Sequence, residues 1–379
     1  MYLDHNAGGR IRAEVAAAIT DWLQQPVANP SSLHAAGRRA RDAMEEARDE
    51  VARLVRAAPG EIVFTSSGSE ANGLAILGVT QPGDAIFSTA IEHASVLGAV
   101  SAAEGLGCIP GWLPMDAHGR VTPEAVVSMA SGARLVSLGW GNGETGILQP
   151  LAAVGAALAS LPPDERPLLH SDAVQVVGYE EIDVGSLQVD LLTLSGHKLG
   201  APPGIGALFV RRDLTLMPRV HGGSQERERR AGTENLLGII GFGVAAKLAR
   251  EDRLERVSRI RLLRERLWTV LQENCRPMVR YDHEPSLPGT LSVGFTGLRG
   301  DALLVALDAV GVAASNGSAC AAGAPEPSHV LRALGHDDDA ARSVLRFSFG
   351  SDLDSDAIDR AGAAIRQVVA DARSRGGCA

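Results

Sequence analysis

Short apolar runs alternate with helical patterns over the first two thirds of the chain, which predicts an α/β protein with a mostly parallel sheet. A change of pattern behind a long charged helical region predicts a second, smaller α+β domain. The apolar runs are Ile62-Val-Phe-Thr, Ala85-Ile-Phe-Ser, Leu135-Val-Ser-Leu, Leu168-Leu-His, Leu191-Leu-Thr-Leu and Ile205-Gly-Ala-Leu-Phe-Val, with helical stretches at 69–79, 94–105 and 151–161 between them. Runs this short read as strands rather than helices. Ligands of such sheets sit beyond the carboxyl ends of the strands, so the residues after each run are the ones that can carry chemistry.

Ahead of the first strand, Leu33, Ala36, Ala40, Met44, Ala47, Val51 and Leu54 recur every three or four positions among Arg, Asp and Glu, predicting an amphipathic helix that ends near Pro59-Gly60. The charged helical region spans 234–274 and joins the two domains. Beyond it the pattern gives strands near 277–282 and 290–295, helices at 301–310 and 326–334, a strand at 343–349 and a terminal helix from about 355.

The 379 residues suffice for two domains, and 45% hydrophobic content with few aromatics is ordinary for a soluble globular chain. A formal charge of −9 offers no basic excess to neutralise phosphates, so non-specific nucleic-acid binding is not expected. The start, Met1-Tyr-Leu-Asp-His-Asn, lacks a basic segment followed by an apolar core, and no run approaches the ~18 apolar residues of a membrane span. A cytoplasmic protein without a membrane partner is expected. Cys108, Cys275, Cys320 and Cys378 lack metal-ligand spacing, so free thiols are expected and no metal.

Five features converge on a phosphate-bearing aldehyde cofactor. Thr65-Ser-Ser67-Gly68-Ser69-Glu70 follows a strand and opens a helix, where backbone N–H groups favour an anion; an ordinary capping box of Ser67 and Glu70 reads equally well. His93 follows the next strand. Asp172 ends another, with Gln175 three residues on; a pyridine ring acts as an electron sink when a carboxylate keeps its nitrogen protonated. Ser195-Gly-His197-Lys198 ends the strand from Leu191, and a desolvated lysine can form a Schiff base with a carbonyl. The fifth is the polar loop from His221 to Thr233. Gly141-Asn-Gly143-Glu-Thr-Gly146 matches a dinucleotide-binding pattern, yet the helix behind it starts near Pro150, and Asp164 and Glu165 fall in a Pro-rich loop. Cys320, in Ser315-Asn-Gly-Ser-Ala-Cys320-Ala-Ala-Gly-Ala, has small neighbours that would let a thiolate swing into a site.

Together with Tyr2-Leu-Asp-His-Asn-Ala, Asn29-Pro-Ser-Ser-Leu-His, Arg230-Ala-Gly-Thr233, Glu326-Pro-Ser-His-Val-Leu-Arg-Ala-Leu-Gly and Arg346-Phe-Ser-Phe-Gly350, these segments make the chain resemble, over nearly its whole length, the cysteine desulfurases of the NifS/IscS type, in the class V aminotransferase branch of fold-type I pyridoxal-phosphate enzymes. The resemblance implies a large domain at 12–255 with a seven-stranded sheet, and a small one from 1–11 and 256–379. It implies a homodimer that binds pyridoxal 5'-phosphate, converts L-cysteine to L-alanine, and passes the sulfur through a persulfide on Cys320 to an acceptor or iron–sulfur scaffold protein.

By the same resemblance Lys198 is the Schiff-base lysine, Asp172 pairs with the ring nitrogen, Gln175 approaches the ring hydroxyl, and His93 stacks on the ring and assists proton transfer. Gly68, Ser69, Ser195 and His197 match phosphate-binding positions, Thr233 reaching the phosphate of the other subunit. Arg346 matches the residue that holds the substrate carboxylate, with Asn29 in the substrate-binding set. A free thiol is only a few per cent ionised at neutral pH, and His93 is the base assigned to Cys320. Gly143 departs from the family's usual Asn, leaving Asn142 as the candidate ring contact; Gly8, Gly9 and Gly73 depart as well. The spacing from Cys320 to Glu326 matches the branch with the longer, mobile cysteine loop. A selenocysteine lyase or other β-lyase on the same fold, or a catalytically weakened scaffold homologue, are the alternatives.

Overall fold

The computed structural model describes residues 1–317 and 327–376. Within them, β1 (Ile62–Thr65), β2 (Ala85–Ser88), β3 (Ile109–Trp112), β4 (Leu135–Ser137), β5 (Leu168–Asp172), β6 (Leu191–Ser195) and β7 (Gly206–Val210) form one sheet in the order β1-β7-β6-β5-β4-β2-β3. The pairs β5–β6, β4–β5, β2–β4 and β2–β3 are parallel, and β7 runs antiparallel to both β1 and β6.

Both faces of this sheet are covered, which explains why its strands are continuous apolar runs rather than alternating ones. Val63, Ile86, Leu135, Leu191, Leu208 and Val210 point to the side of α3 (Gly68–Leu77) and α4 (Ala94–Gly105). Ile62, Phe64, Val136, Leu192, Leu194, Ala207 and Phe209 point to the other side, against α1 (Ala13–Leu23), α2 (Ala35–Val55), α6 (Leu151–Ala159) and α7 (Leu236–Glu251), with α5 (Pro123–Ala130) beside α6. Gly243 of α7 lets that helix approach α2 closely, since a Cβ there would lie 2.6 Å from Ala47.

Residues 234–274 are two helices rather than one charged region. Asp252 separates α7 from α8 (Arg253–Asn274) and pairs with Arg12 at 2.6 Å. Their environments differ: α7 is apolar and buried in the large core, while α8 carries the charge. The edge strand β3 has no counterpart among the predicted runs, because Pro110 and Gly111 interrupt it and both of its ends are exposed.

A second core gathers Leu3 with Ile260, Leu263, Leu267, Leu291, Phe347 and Ile365. It is built on a three-stranded antiparallel sheet, β10 (Val344–Ser348), β9 (Thr290–Gly294) and β8 (Val279–Arg280), with α8, α9 (Gly300–Ala309) and α12 (Ser355–Gly376). Two short helices, α10 (His329–Ala333) and α11 (Asp338–Arg342), precede β10. The N-terminal segment joins this unit: Leu3 N–H donates to Ala313, Ser348 N–H donates to Leu3, and Asp4 bridges Ser348.

Candidate active site

Register brings the ends of β1 and β6 together. Gly206 of β7 pairs with Thr65 on one side and Ser195 on the other. A Cβ on Gly206 would lie 2.5 Å from the backbone of Ser67, so only glycine lets the Ser66-Ser67 turn fold over the sheet edge. Ser67 caps α3 by accepting from the Glu70 amide at 3.1 Å, as the sequence allows, but the Glu70 carboxylate accepts from Ser66 N–H at 2.8 Å and pairs with Arg230 at 2.9 Å. Gly68 and Ser69 are the first two residues of α3, and amides there have no carbonyl of their own helix to bond. Ser195 lies alongside: a Cβ on Gly68 would sit 3.4 Å from Ser195 Cβ. Ser195 Oγ is 2.9 Å from His197 Nδ1. Burial, with the neighbouring Lys198 charge second, holds His197 down at about 4, so its imidazole is neutral at physiological pH.

At the end of β5, Asp172 is buried. Its Oδ1 accepts from Val174 N–H at 2.9 Å and its Oδ2 from Asn72 Nδ2 at 2.7 Å. Asn72, from the second turn of α3, also donates to Ser95 Oγ at 2.9 Å, and Ser95 Oγ lies 2.7 Å from His93 Nδ1. The Ser95 amide donates to the same ring nitrogen at 3.1 Å, making His93 the N-cap of α4. Asn72 was invisible in the sequence: an Asn inside a helix carries no signal until the sheet beneath it is placed. Its Oδ1 is buried without a partner.

Lys198 follows Ser195 in a single tight turn, Gly196–Leu199. Its ammonium donates to the carbonyl of Ala7 at 3.0 Å and to that of Asn6. The same Asn6 carbonyl accepts from Gln175 Nε2 at 3.2 Å, while Asn6 Nδ2 donates to Gly143 O at 3.0 Å and to Thr290 Oγ1 at 2.8 Å. Gly143 O also accepts from Arg346 Nη1 at 2.9 Å, and Arg346 Nη2 pairs with Asp4 at 2.6 Å. Strand ends of the large sheet and the N-terminal segment thus converge on Lys198, Gln175 and Arg346.

Three expected residues have other engagements. The carboxamide of Asn142 donates to Ile91 O and accepts from the amides of Glu144 and Thr145, closing its own loop. That loop is not a dinucleotide site, since α6 begins five residues after Gly146, at Leu151. Asn29 is exposed and accepts from Ser31 N–H within its own turn. Thr233 is exposed beside Arg230 and Ser66, on a small cavity of about 90 Å³. Cys320 and Glu326 lie outside the described residues, as does Cys378; Cys108 and Cys275 are buried free thiols.

A pyridine ring bearing a phosphate and an aldehyde fits this donor set: helix-start amides with Ser195 and a neutral His197 for the phosphate, a buried, doubly hydrogen-bonded carboxylate at Asp172, and an amine at Lys198. Residues 1–361 match the model of the family described as Aminotransferase class-V. The chain belongs to the aminotransferase class-V family. Members of this family are pyridoxal-phosphate enzymes. A cysteine desulfurase of Gluconacetobacter diazotrophicus is 40% identical over 367 residues, 95% of this chain and 91% of that protein. Among solved structures, a NifS-like protein superposes with a TM-score of 0.91 at 30% identity, covering 98% and 99% of the two chains. One titled "SspA in complex with cysteine" superposes with a TM-score of 0.79 at 30% identity, covering 92% and 98%. The mostly parallel seven-stranded sheet with a smaller antiparallel one is the architecture expected of a class-V aminotransferase fold. Among the described residues no helix is long and apolar enough to cross a membrane.

Proposed function

We infer that this class-V chain is a cysteine desulfurase: it converts L-cysteine to L-alanine and moves the sulfur onto Cys320 as a persulfide, for delivery to an acceptor protein that builds iron–sulfur clusters or thiolated cofactors. The observation that carries this reading is the 40% identity over nearly the whole length to a cysteine desulfurase, on a chain whose Asp172, Lys198 and His93 follow or end strands of the large sheet while Arg346 of β10 reaches the carbonyl of Gly143 beside them.

When bound, pyridoxal phosphate would supply an electron sink that acidifies the substrate Cα–H and weakens its C–S bond, with Lys198 as the amine for its aldehyde. Gly68 and Ser69 at the start of α3, with Ser195 and His197, would hold its phosphate, and Asp172, fixed by Asn72 and Val174, would keep its ring nitrogen protonated. Gln175 sits near Lys198 for the ring hydroxyl. Thr233 reaches the phosphate site of a second copy in a homodimer, where Arg230 ties the loop to Glu70. The Lys198 amine is the base that would take the Cα proton. Arg346 holds the substrate carboxylate.

Cys320 attacks the substrate sulfur as a thiolate, the S–S bond forming as the C–S bond breaks and its electron pair stays with carbon. His93, whose Nδ1 accepts from Ser95, carries its proton on Nε2 and acts as a donor to sulfur rather than as the base the sequence assigned it. An assay of alanine formation from cysteine, with and without a reductant, tests the reaction. Cys320→Ser is expected to lose cysteine turnover; unchanged turnover would refute the persulfide role and favour a selenocysteine lyase or related β-lyase.

A further inference from the structure

Two basic groups of the site, Lys198 and Arg346, are both held by one short stretch of chain, residues 4–7. The carbonyls of Asn6 and Ala7 accept from the Lys198 ammonium, and the Asp4 carboxylate pairs with Arg346. Asp4 is fixed by its backbone: it bridges Ser348, two residues beyond Arg346 on β10, and Asn6 N–H donates to Ser348 Oγ at 2.8 Å. The His5 ring lies 2.9 Å from Asp352 and completes the anchor.

The pairing is one-sided. A guanidinium presents five N–H groups in a fork that matches a carboxylate bidentately. Asp4 uses one corner, Oδ1 to Nη2 at 2.6 Å, while Nη1 donates to the carbonyls of Gly143 and Gly317 at 2.9 and 3.3 Å. Nε is buried with no hydrogen-bond partner. The Arg346 side chain is only 4% exposed and that of Asp4 18%, so the guanidinium with its unpaired Nε is shut from solvent while the more accessible carboxylate holds Nη2.

We propose that Asp4 is a built-in competitor for the substrate carboxylate, a specificity-determining residue that balances the Arg346 charge until an amino acid displaces it. An unpaired guanidinium at this depth would be costly, and Asp4 removes that cost in the free enzyme. Substrate must then exchange one carboxylate for another, which keeps its apparent affinity low and rejects amines that bring no carboxylate to trade. The inference rests on the reading of Arg346 as the substrate-carboxylate residue.

The test uses holoenzyme and the Asp4→Asn variant, with Asp4→Ser as a second variant should the first fold poorly. The readouts are KM for L-cysteine, the affinity of the product L-alanine from the absorbance change of the bound cofactor, and inhibition by cysteamine, which has the thiol and amine but no carboxylate. Removing the competing charge is expected to lower KM and tighten L-alanine by about three- to tenfold, the effect lying in KM rather than kcat, with cysteamine inhibition unchanged. Unchanged or weaker L-alanine binding, or an equal gain for cysteamine, would overturn the proposal. Arg346→Gln separates the two layers. If it weakens L-alanine but not cysteamine, Arg346 holds the carboxylate and the Asp4 result stands by itself; if it weakens neither, the reading of Arg346 has failed, and the proposal with it.

Discussion

The Ser95 hydroxyl stands 2.7 Å from Nδ1 of His93 and accepts from Asn72 Nδ2 at 2.9 Å. With the Ser95 amide donating to the same atom, a neutral His93 carries its proton on Nε2. Asn72 also holds Asp172, which links that buried carboxylate to the histidine through two side chains.

Ser95→Ala removes one donor from Nδ1 and the tie to Asn72. Desulfurase turnover is expected to fall by about tenfold, in the range typical for groups that orient a functional imidazole. The check is alanine formation together with the ¹⁵N shifts of His93, whose Nε2–H tautomer should persist because the backbone amide of residue 95 still donates to Nδ1.

Glu92, next to His93, is buried between the Thr89 hydroxyl at 2.6 Å and the Gly139 amide at 2.9 Å. Burial chiefly, with Asp172 adding to it and the Thr89 and Gly139 hydrogen bonds opposing, pushes its carboxyl from 4.5 up to about 8. The folded protein therefore keeps a proton that the unfolded chain has released between those two values. Stability from this group is full below pH 4.5, declines as pH rises toward about 8 and is level above. Glu92→Gln keeps the shape without ionising, so its Tm advantage over the parent should widen through that window. A pH-independent difference would show that Glu92 is ionised throughout.

Arg48 and Glu226 form a fully buried bidentate pair, both bonds 2.8 Å, and Glu226 also accepts from Phe64 N–H at 2.8 Å. This pair pins a loop whose residues Glu226, Arg227 and Glu228 all have positive φ. Glu226→Leu leaves the buried guanidinium with only Glu45 and the Ile62 carbonyl and should cost about 3–5 kcal/mol in urea unfolding. Adding Arg48→Met should recover only part of it, because the Phe64 amide still lacks its acceptor.

Gly143 leaves room that Gln175 fills: a Cβ there would lie 2.9 Å from Gln175 Nε2, the mobile end of that side chain. Since Asn142 is spent on its own loop, Gly143→Asn introduces an amide that nothing else supplies. Pyridoxal-phosphate affinity, from fluorescence titration, should rise by about two- to fivefold, and by more in a Gln175→Ala background where no side chain has to move. Equal affinities in all backgrounds would mean that position 143 does not contact the ring.

The strands of the large sheet were legible because burial on both faces made them continuous apolar runs, and the residues just beyond them, Asp172, Ser195 and Lys198, followed from the rule that ligands sit at carboxyl ends. The edge strand at Pro110 and the break at Asp252 were not, since neither exposure nor a change of packing partner leaves a periodic mark.

By itself, then, the sequence determined the fold class and put Asp172 and Lys198 at strand ends, because hydrophobic periodicity and turn chemistry are local. The tertiary structure decided what those groups touch: Asn72 under Asp172, Ser95 on His93, and Asp4 on Arg346, 342 residues apart in the chain. Hydrogen bonds and charge pairs of that span are set by which strand lies beside which, and Asp4 reaches Arg346 because the N-terminal segment bridges Ser348 of β10.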